Sequence, residues 1–110
     1  MNREKFLKKV LRKVATKVLK SENNSSTYSL DKGFLAEADI LAHETFKYEI
    51  NRNFPTDFVL TEEDNFSSDS ISFQNEFLWI IDPICGTTNY LYNFPFYSHS
   101  VTILKNNKLY

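Results

Sequence analysis

Carboxylates at Asp39, Glu62, Glu63 and Asp82 each stand beside an apolar stretch, where an element of secondary structure gives way to a loop. Side chains so placed can converge on a hard divalent cation, because Mg2+ prefers oxygen ligands and usually keeps several waters. Acidic residues at such junctions also cap helices or stay solvated, so the four carboxylates alone leave both readings open. After Asp82 the chain continues Pro83-Ile84-Cys85-Gly86-Thr87-Thr88-Asn89, in which Gly86 with the following hydroxyls and amide makes a helix start. His43 and His99 stand apart from other chemistry-bearing residues and are expected to be structural or solvated.

The elements that must position these groups follow from apolar spacing. From Arg3 to Lys20, Phe6, Leu7, Val10, Leu11, Val14, Val18 and Leu19 recur every three or four residues, with Lys and Arg between them, which predicts a basic amphipathic helix. Residues 21–33 are polar and turn-rich and predict a loop. A second helix is expected from near Leu35 to about Asn53, where Pro55 ends it. Phe58 to Leu60 predicts a short strand, and Asn65 to Ser72 a loop. Glu76 to Asp82 is a compact apolar run that delivers a carboxylate at its end, the pattern of a buried strand. Ser98 to Leu104 alternates towards Lys105-Asn106-Asn107-Lys108, a hairpin turn signal. With only Leu109 and Tyr110 to return, the last hairpin predicts a sheet with an unpaired edge, and a chain that is cut short.

Composition bounds the possibilities. A chain of 110 residues, 42% hydrophobic and 15% aromatic, fits one small packed domain and excludes a second complete one. The net charge of -1 conceals an asymmetry, since residues 1–20 hold eight of the thirteen Lys and Arg with one Glu. A basic arm therefore precedes an acidic body. One cysteine allows no intrachain disulfide, which fits a cytoplasmic location, and no stretch is continuous enough in apolar residues for a membrane span.

The string from Asp82 to Asn89 resembles the Asp-Pro-Ile-Asp-Gly-Thr-Thr-Asn signature of the inositol monophosphatase family, with Cys85 the one difference. Its flanks, Trp79-Ile80-Ile81 before and Tyr90 with Asn93-Phe94-Pro95-Phe96 after, are also similar to family members. Leu60-Thr61-Glu62-Glu63 resembles the Gly-Glu-Glu element, with Thr61 for Gly, and Ala36-Glu37-Ala38-Asp39 resembles the Thr-x-x-Asp element, with Ala36 for Thr.

This resemblance, over about Asp31 to Tyr110, implies Mg2+-dependent hydrolysis of a small phosphorylated metabolite. It implies that Glu62, Asp82 and the Ile84 carbonyl ligate the metal, and that Asp39 and Thr87 activate the attacking water. Gly86, Thr87 and Thr88 would hold the substrate phosphate through backbone amides at a helix N-terminus. Cys85 falls where the family has a second metal-binding Asp; a thiol is soft and suits Zn2+ better than Mg2+. A thiol at a helix start can also be a nucleophile, but neither histidine has a motif relation to Cys85.

The expected fold is the N-terminal part of a layered α/β sandwich, with two helices packed on an incomplete antiparallel sheet. Its regions would be the basic helix at 1–20, the polar loop at 21–33 and the metal-site region at 34–110. The functional expectation is a phosphatase relative inactive or impaired through Cys85 and the absent C-terminal half. Two alternatives stand beside it: a half-enzyme completed by a second polypeptide, and a non-catalytic module that binds anionic surfaces through the basic helix. Nucleic acid is not the expected partner.

Overall fold

A computed structural model describes residues 2–20, 26–29, 33–64, 74–87, 89, 92 and 97–110. In chain order its elements are α1 (Arg3–Lys20), β1 (Ser26–Ser29), β2 (Gly33–Ala36), α2 (Glu37–Asn53), β3 (Phe58–Thr61), β4 (Phe77–Cys85), β5 (Ser98–Lys105) and β6 (Lys108–Leu109).

α1 begins where Asn2 caps it, its Oδ1 accepting from the amides of Glu4 at 2.7 Å and Lys5 at 3.2 Å. The apolar stripe buries Phe6, Val10, Val14 and Val18. α2 buries Ala38, Ala42, Phe46 and Ile50 beside them. It ends as predicted ahead of Pro55, with the Phe54 amide closing the last turn on the Ile50 carbonyl at 2.7 Å.

Both helices cover one face of a four-stranded sheet in the order β3-β4-β5-β6. Three of its strands pair antiparallel, and β3 lies parallel to β4 with Phe58 opposite Leu78 and Thr61 opposite Ile81. A parallel pair needs a long crossover between its strands. Residues 62–76 are long enough to supply one. Trp79, Ile81 and Ile103 point from the sheet into the core under the helices, and Ile80 points the other way and is 40% exposed. The period-two alternation of β4 thus yields one covered and one open face.

Two local features refine the sequence reading. The expected polar loop at 21–33 gives way in part to an antiparallel ribbon, β1 with β2, pairing Ser26 to Ala36 and Ser29 to Gly33. Its strands pair only with each other and form a sheet of their own. The second helix accordingly starts at Glu37, after β2 rather than near Leu35. The final hairpin forms as expected, with Asn106 at φ 50° and Asn107 at φ 64°. Two consecutive left-handed residues are what a type I′ turn requires, and asparagine tolerates them.

One polar cluster ties α1 to the sheet. Arg3 donates from Nε and Nη2 to the two carboxylate oxygens of Asp57, each at 2.9 Å, and the Trp79 indole donates to Asp57 Oδ2 at 2.8 Å. The Arg3 guanidinium also lies 3.5 Å from the centre of the Phe77 ring and 4.4 Å from that of Phe54. Phe6 packs edge-on against Phe54 and Trp79, at 5.1 and 6.0 Å between centroids.

Candidate active site

β3 and β4 bring the first two carboxylates together. The Glu62 amide donates to the Ile81 carbonyl at 3.0 Å, which extends the parallel ladder one step past Thr61 and sets Glu62 beside Asp82. A turn then fixes Glu62. The Thr61 amide donates to Asp64 Oδ2 at 2.8 Å, the Asp64 amide returns to the Thr61 carbonyl at 3.1 Å, and Lys47 on α2 donates to Asp64 Oδ1 at 2.7 Å. Burial pushes the Asp64 carboxyl up, but Lys47, the Thr61 amide and the His43 charge outweigh it and hold Asp64 below its ordinary value. His43 hydrogen-bonds the buried Thr61 hydroxyl. It is a structural residue, as expected, but it is not isolated.

Asp82 is the last residue before β4 loses its regular register with β5 between Asp82 and Cys85. Pro83 lacks an amide hydrogen, so a bulge is where a strand tolerates it. Its carbonyl takes a 2.6 Å contact from His99 Nδ1 on β5, which holds the bulge in place. Pro83 and Ile84 are both buried and Cys85 is exposed. Gly86 follows at φ 98°, a left-handed conformation that a Cβ would oppose.

The turn after Gly86 reaches α2. Thr87 Oγ1 lies 3.0 Å from Asp39 Oδ1 and 3.5 Å from the Ile84 carbonyl. The hydroxyl has one proton, and the shorter contact with a charged acceptor takes it. Asp39 is only 1% exposed and sits in the first turn of α2, where the helix dipole favours a negative charge. Asp39, Glu62, Asp82, Ile84 and Thr87 are thus joined through β3, β4 and α2. Thr88 lies outside the described residues.

Charge is unbalanced around Glu62 and Asp82. The hydrogen bond with Asp82 raises the Glu62 carboxyl to about 7, and burial and the charges of Asp82, Glu63 and Asp39 push the same way. Asp82 Oδ1 is buried and has no hydrogen-bond partner among the described residues. A buried carboxylate oxygen without a donor, on a residue whose neighbour is a second carboxylate, fits a divalent cation, since one positive ion can satisfy both carboxylates. Among the described residues no three His, Cys, Asp or Glu side chains converge to hold a metal, so the arrangement offers two carboxylates. A cleft of about 380 Å³ runs from Glu62 and Asp82 past Leu60 and Ile80 to Ser100 and Thr102 on the open face of the sheet.

A pH dependence follows from Glu62. Its folded value of about 7 lies above the ordinary 4.5, so the folded chain holds a proton there that the unfolded chain has released. Stability without metal is therefore expected to fall as pH rises from about 4.5 to about 7. The check is the urea midpoint across that window in EDTA, for the chain and for Glu62→Gln. The downward slope should be shallower in the variant, and equal slopes would exclude Glu62 as its source.

The whole of this arrangement lies within a match to the model of the inositol monophosphatase family that covers residues 2–110. The chain belongs to this family. It is 30% identical over 112 residues to the fructose-1,6-bisphosphatase/inositol-1-monophosphatase of Thermotoga maritima, an alignment covering 99% of this chain and 41% of the relative. It is also 28% identical over 96 residues to inositol monophosphatase 1 of Bos taurus, covering 87% of this chain and 35% of the relative. The solved structure of the Thermotoga maritima IMPase superposes with a TM-score of 0.83 at 29% identity, over 99% of this chain and 42% of that one. The chain spans between about a fifth and two-fifths of the length of the curated relatives it matches. The two helices and mixed sheet described above are this family's fold.

The residues that sequence reasoning missed are Lys47 and Asp64, which hold the Glu62 turn; His99, expected to be structural or solvated, is structural and holds the Pro83 bulge. Asp64 carried one signal, as the third of three consecutive acidic residues. His99 carried none, because its partner is a backbone carbonyl.

Proposed function

We propose that this chain is the metal-site part of a Mg2+-dependent phosphatase of small phosphate monoesters, retaining one cation site and a water-activating pair but impaired in hydrolysis by Cys85. The observation that carries the proposal is Asp82 Oδ1, buried and without a hydrogen-bond partner among the described residues, on a carboxylate whose neighbour is Glu62. Glu62 and Asp82 hold the cation, with the Ile84 carbonyl beside them. When bound, the ion polarises the phosphate and lowers the pKa of a water.

The chain's own residues divide the remaining work. Asp39 takes the Thr87 hydroxyl proton in a hydrogen bond, which leaves the Thr87 oxygen lone pairs free to accept from the attacking water and aim it. Burial of Asp39 keeps this pair rigid. Gly86, in its left-handed conformation, lets the backbone amides of Gly86 and Thr87 approach the substrate phosphate. Cys85 supplies a soft, exposed thiol where a further hard oxygen would hold a second ion.

Calorimetric Mg2+ titration, paired with phosphate release from inositol monophosphate and nucleotide monophosphates, tests this reading. Weak binding on the order of 1 mM, lost in Asp82→Ala and accompanied by no turnover dependent on Asp82, is expected. Brisk turnover abolished by Asp82→Ala would refute the impairment, and unchanged Mg2+ binding in that variant would refute the site.

The open sheet face favours a second reading, in which another polypeptide completes the enzyme. Ile80 is 40% exposed directly beside the candidate site, and the curated relatives have more than half their length beyond what this chain matches. A polypeptide carrying the remaining length of a family member should then bind this face and restore phosphate release. Without an encoded partner of that kind, the reading has no support.

A further inference from the structure

The groove between α1 and α2 holds a second concave site that shares no residue with the one around Asp82. It is a cavity of about 160 Å³ floored by Phe6 and Val10 and walled by Lys9, Lys13, Glu49 and Arg52. The floor is closed, since Phe6 and Val10 are 3% and 2% exposed. Lys13 is ion-paired with Glu49. The hydrogen bond from Lys13, with the charges of Lys13, Arg52 and Lys17, holds the Glu49 carboxyl below its ordinary value against the opposing effect of burial.

Three cations thus face one carboxylate. Among the described residues neither Lys9 nor Arg52 has an ion-pair partner. Uncompensated cations around a pit with an apolar floor focus a positive potential, and the low dielectric beneath strengthens it. Arg52 presents a planar fork that matches phosphate oxygens, and Lys9 adds a point charge. The excess of two positive charges matches a dianion. On the outer face of α1, Lys5, Lys8 and Arg12 are exposed and extend the attracting field.

We infer that this groove binds the phosphate group of a phosphomonoester, clasped by Lys9 and Arg52 while Glu49 holds Lys13 at the rim. A nucleic-acid strand would instead need a cationic track with rings for its bases to stack on, whereas here the charges converge on one pit. The phosphomonoester can belong to a soluble metabolite or to a lipid headgroup.

The test is made in EDTA, so that the Asp82 site is not metal-loaded. The chain is titrated with inorganic phosphate and with glycerol phosphate, followed by amide NMR, and separately with vesicles containing phosphatidic acid or phosphatidylglycerol. Saturable shifts at Lys9, Lys13 and Arg52 are expected. The double variant Lys9→Ala/Arg52→Ala should weaken them about tenfold or more, and Lys108→Ala, an exposed lysine on β6, should not. Both side chains of the double variant are exposed, and an unchanged melting curve verifies its fold. Saturation in solution identifies a soluble ester as the ligand. Saturation only on phosphatidic acid vesicles, sensitive to the double variant, identifies a lipid headgroup. Equal binding to both vesicle types without saturation by phosphate, or binding that the double variant leaves intact, overturns the inference.

Discussion

Asp57→Ala is expected to cost the fold about 3–5 kcal/mol, the range for removing one partner of a buried ion pair. At roughly 4 °C per kcal/mol for a domain of this size, the melting midpoint should fall by roughly 12–20 °C. The cost has two sources that can be separated. The Trp79 indole N–H, on a side chain with no exposure, loses its acceptor, and the Arg3 guanidinium loses both of its carboxylate oxygens. Arg3 keeps its stacking on Phe77 and Phe54, and its side chain is 21% exposed, so water can compensate part of its loss. Trp79 has no such recourse.

Asp57→Asn separates the two terms, because the amide oxygen still accepts from Trp79 while the charge is gone. An intermediate loss of about 1–3 kcal/mol is expected from Asp57→Asn in urea unfolding. A loss as large as that of alanine would show that the ion pair dominates, and a negligible loss in both variants would show that the cluster is not a tether. The effect reaches the candidate site, since Trp79 and Asp82 share β4 and the strand's seating fixes where Asp82 stands.

Asp57 also marks the limit of what the sequence reveals. Arg3 and Asp57 lie 54 positions apart and neither belongs to a periodic pattern, so nothing local links them. The elements with strong local signals were legible: the apolar stripe of α1, the stop at Pro55, the run from Phe77 to Asp82, and the Asn106-Asn107 turn. Each is decided by residues within a few positions of one another. The β1–β2 ribbon was not legible, because Ser26–Ser29 lies in a polar, turn-rich stretch whose composition predicts a loop. Nor was the parallel pairing of β3, since Phe58–Thr61 looks the same whichever way its neighbour runs.

The candidate site divides in the same manner. Asp82 and Thr87 were singled out because a contiguous string carries the family likeness, and Asp39 and Glu62 through two shorter upstream elements; the structure joins Thr87 to Asp39 and Glu62 to Asp82. The residues that hold them, Lys47, Asp64 and His99, act through a few hydrogen bonds to a carboxylate, an amide and backbone carbonyls. Such contacts leave no periodicity in a sequence. Arg52 is a further case: as the basic residue in the last turn of α2 it fits the helix dipole, and only the packing of α2 against α1 places it over Lys9 and Lys13.

Cys85→Asp is expected to raise Mg2+ affinity by about ten- to a hundredfold, the equivalent of one charge-assisted contact worth about 1.5–3 kcal/mol. Cys85 stands at the end of β4, past the bulge that begins at Asp82, and it is exposed, so a carboxylate there can reach a hydrated ion without desolvation cost. The same change has an opposite effect on the metal-free chain. A further carboxylate three positions after Asp82 adds negative charge to the same strand end, where Glu62 is already raised to about 7, so the midpoint in EDTA should fall while the midpoint in Mg2+ rises. Zn2+ supplies the complementary test: a thiolate ligand favours it, so the variant should lose Zn2+ affinity as it gains Mg2+ affinity. This crossover distinguishes a ligand position from a mere change of surface charge, which would strengthen both ions together. If both affinities stay unchanged, Cys85 does not face the cation and the impairment proposed for this chain must lie elsewhere.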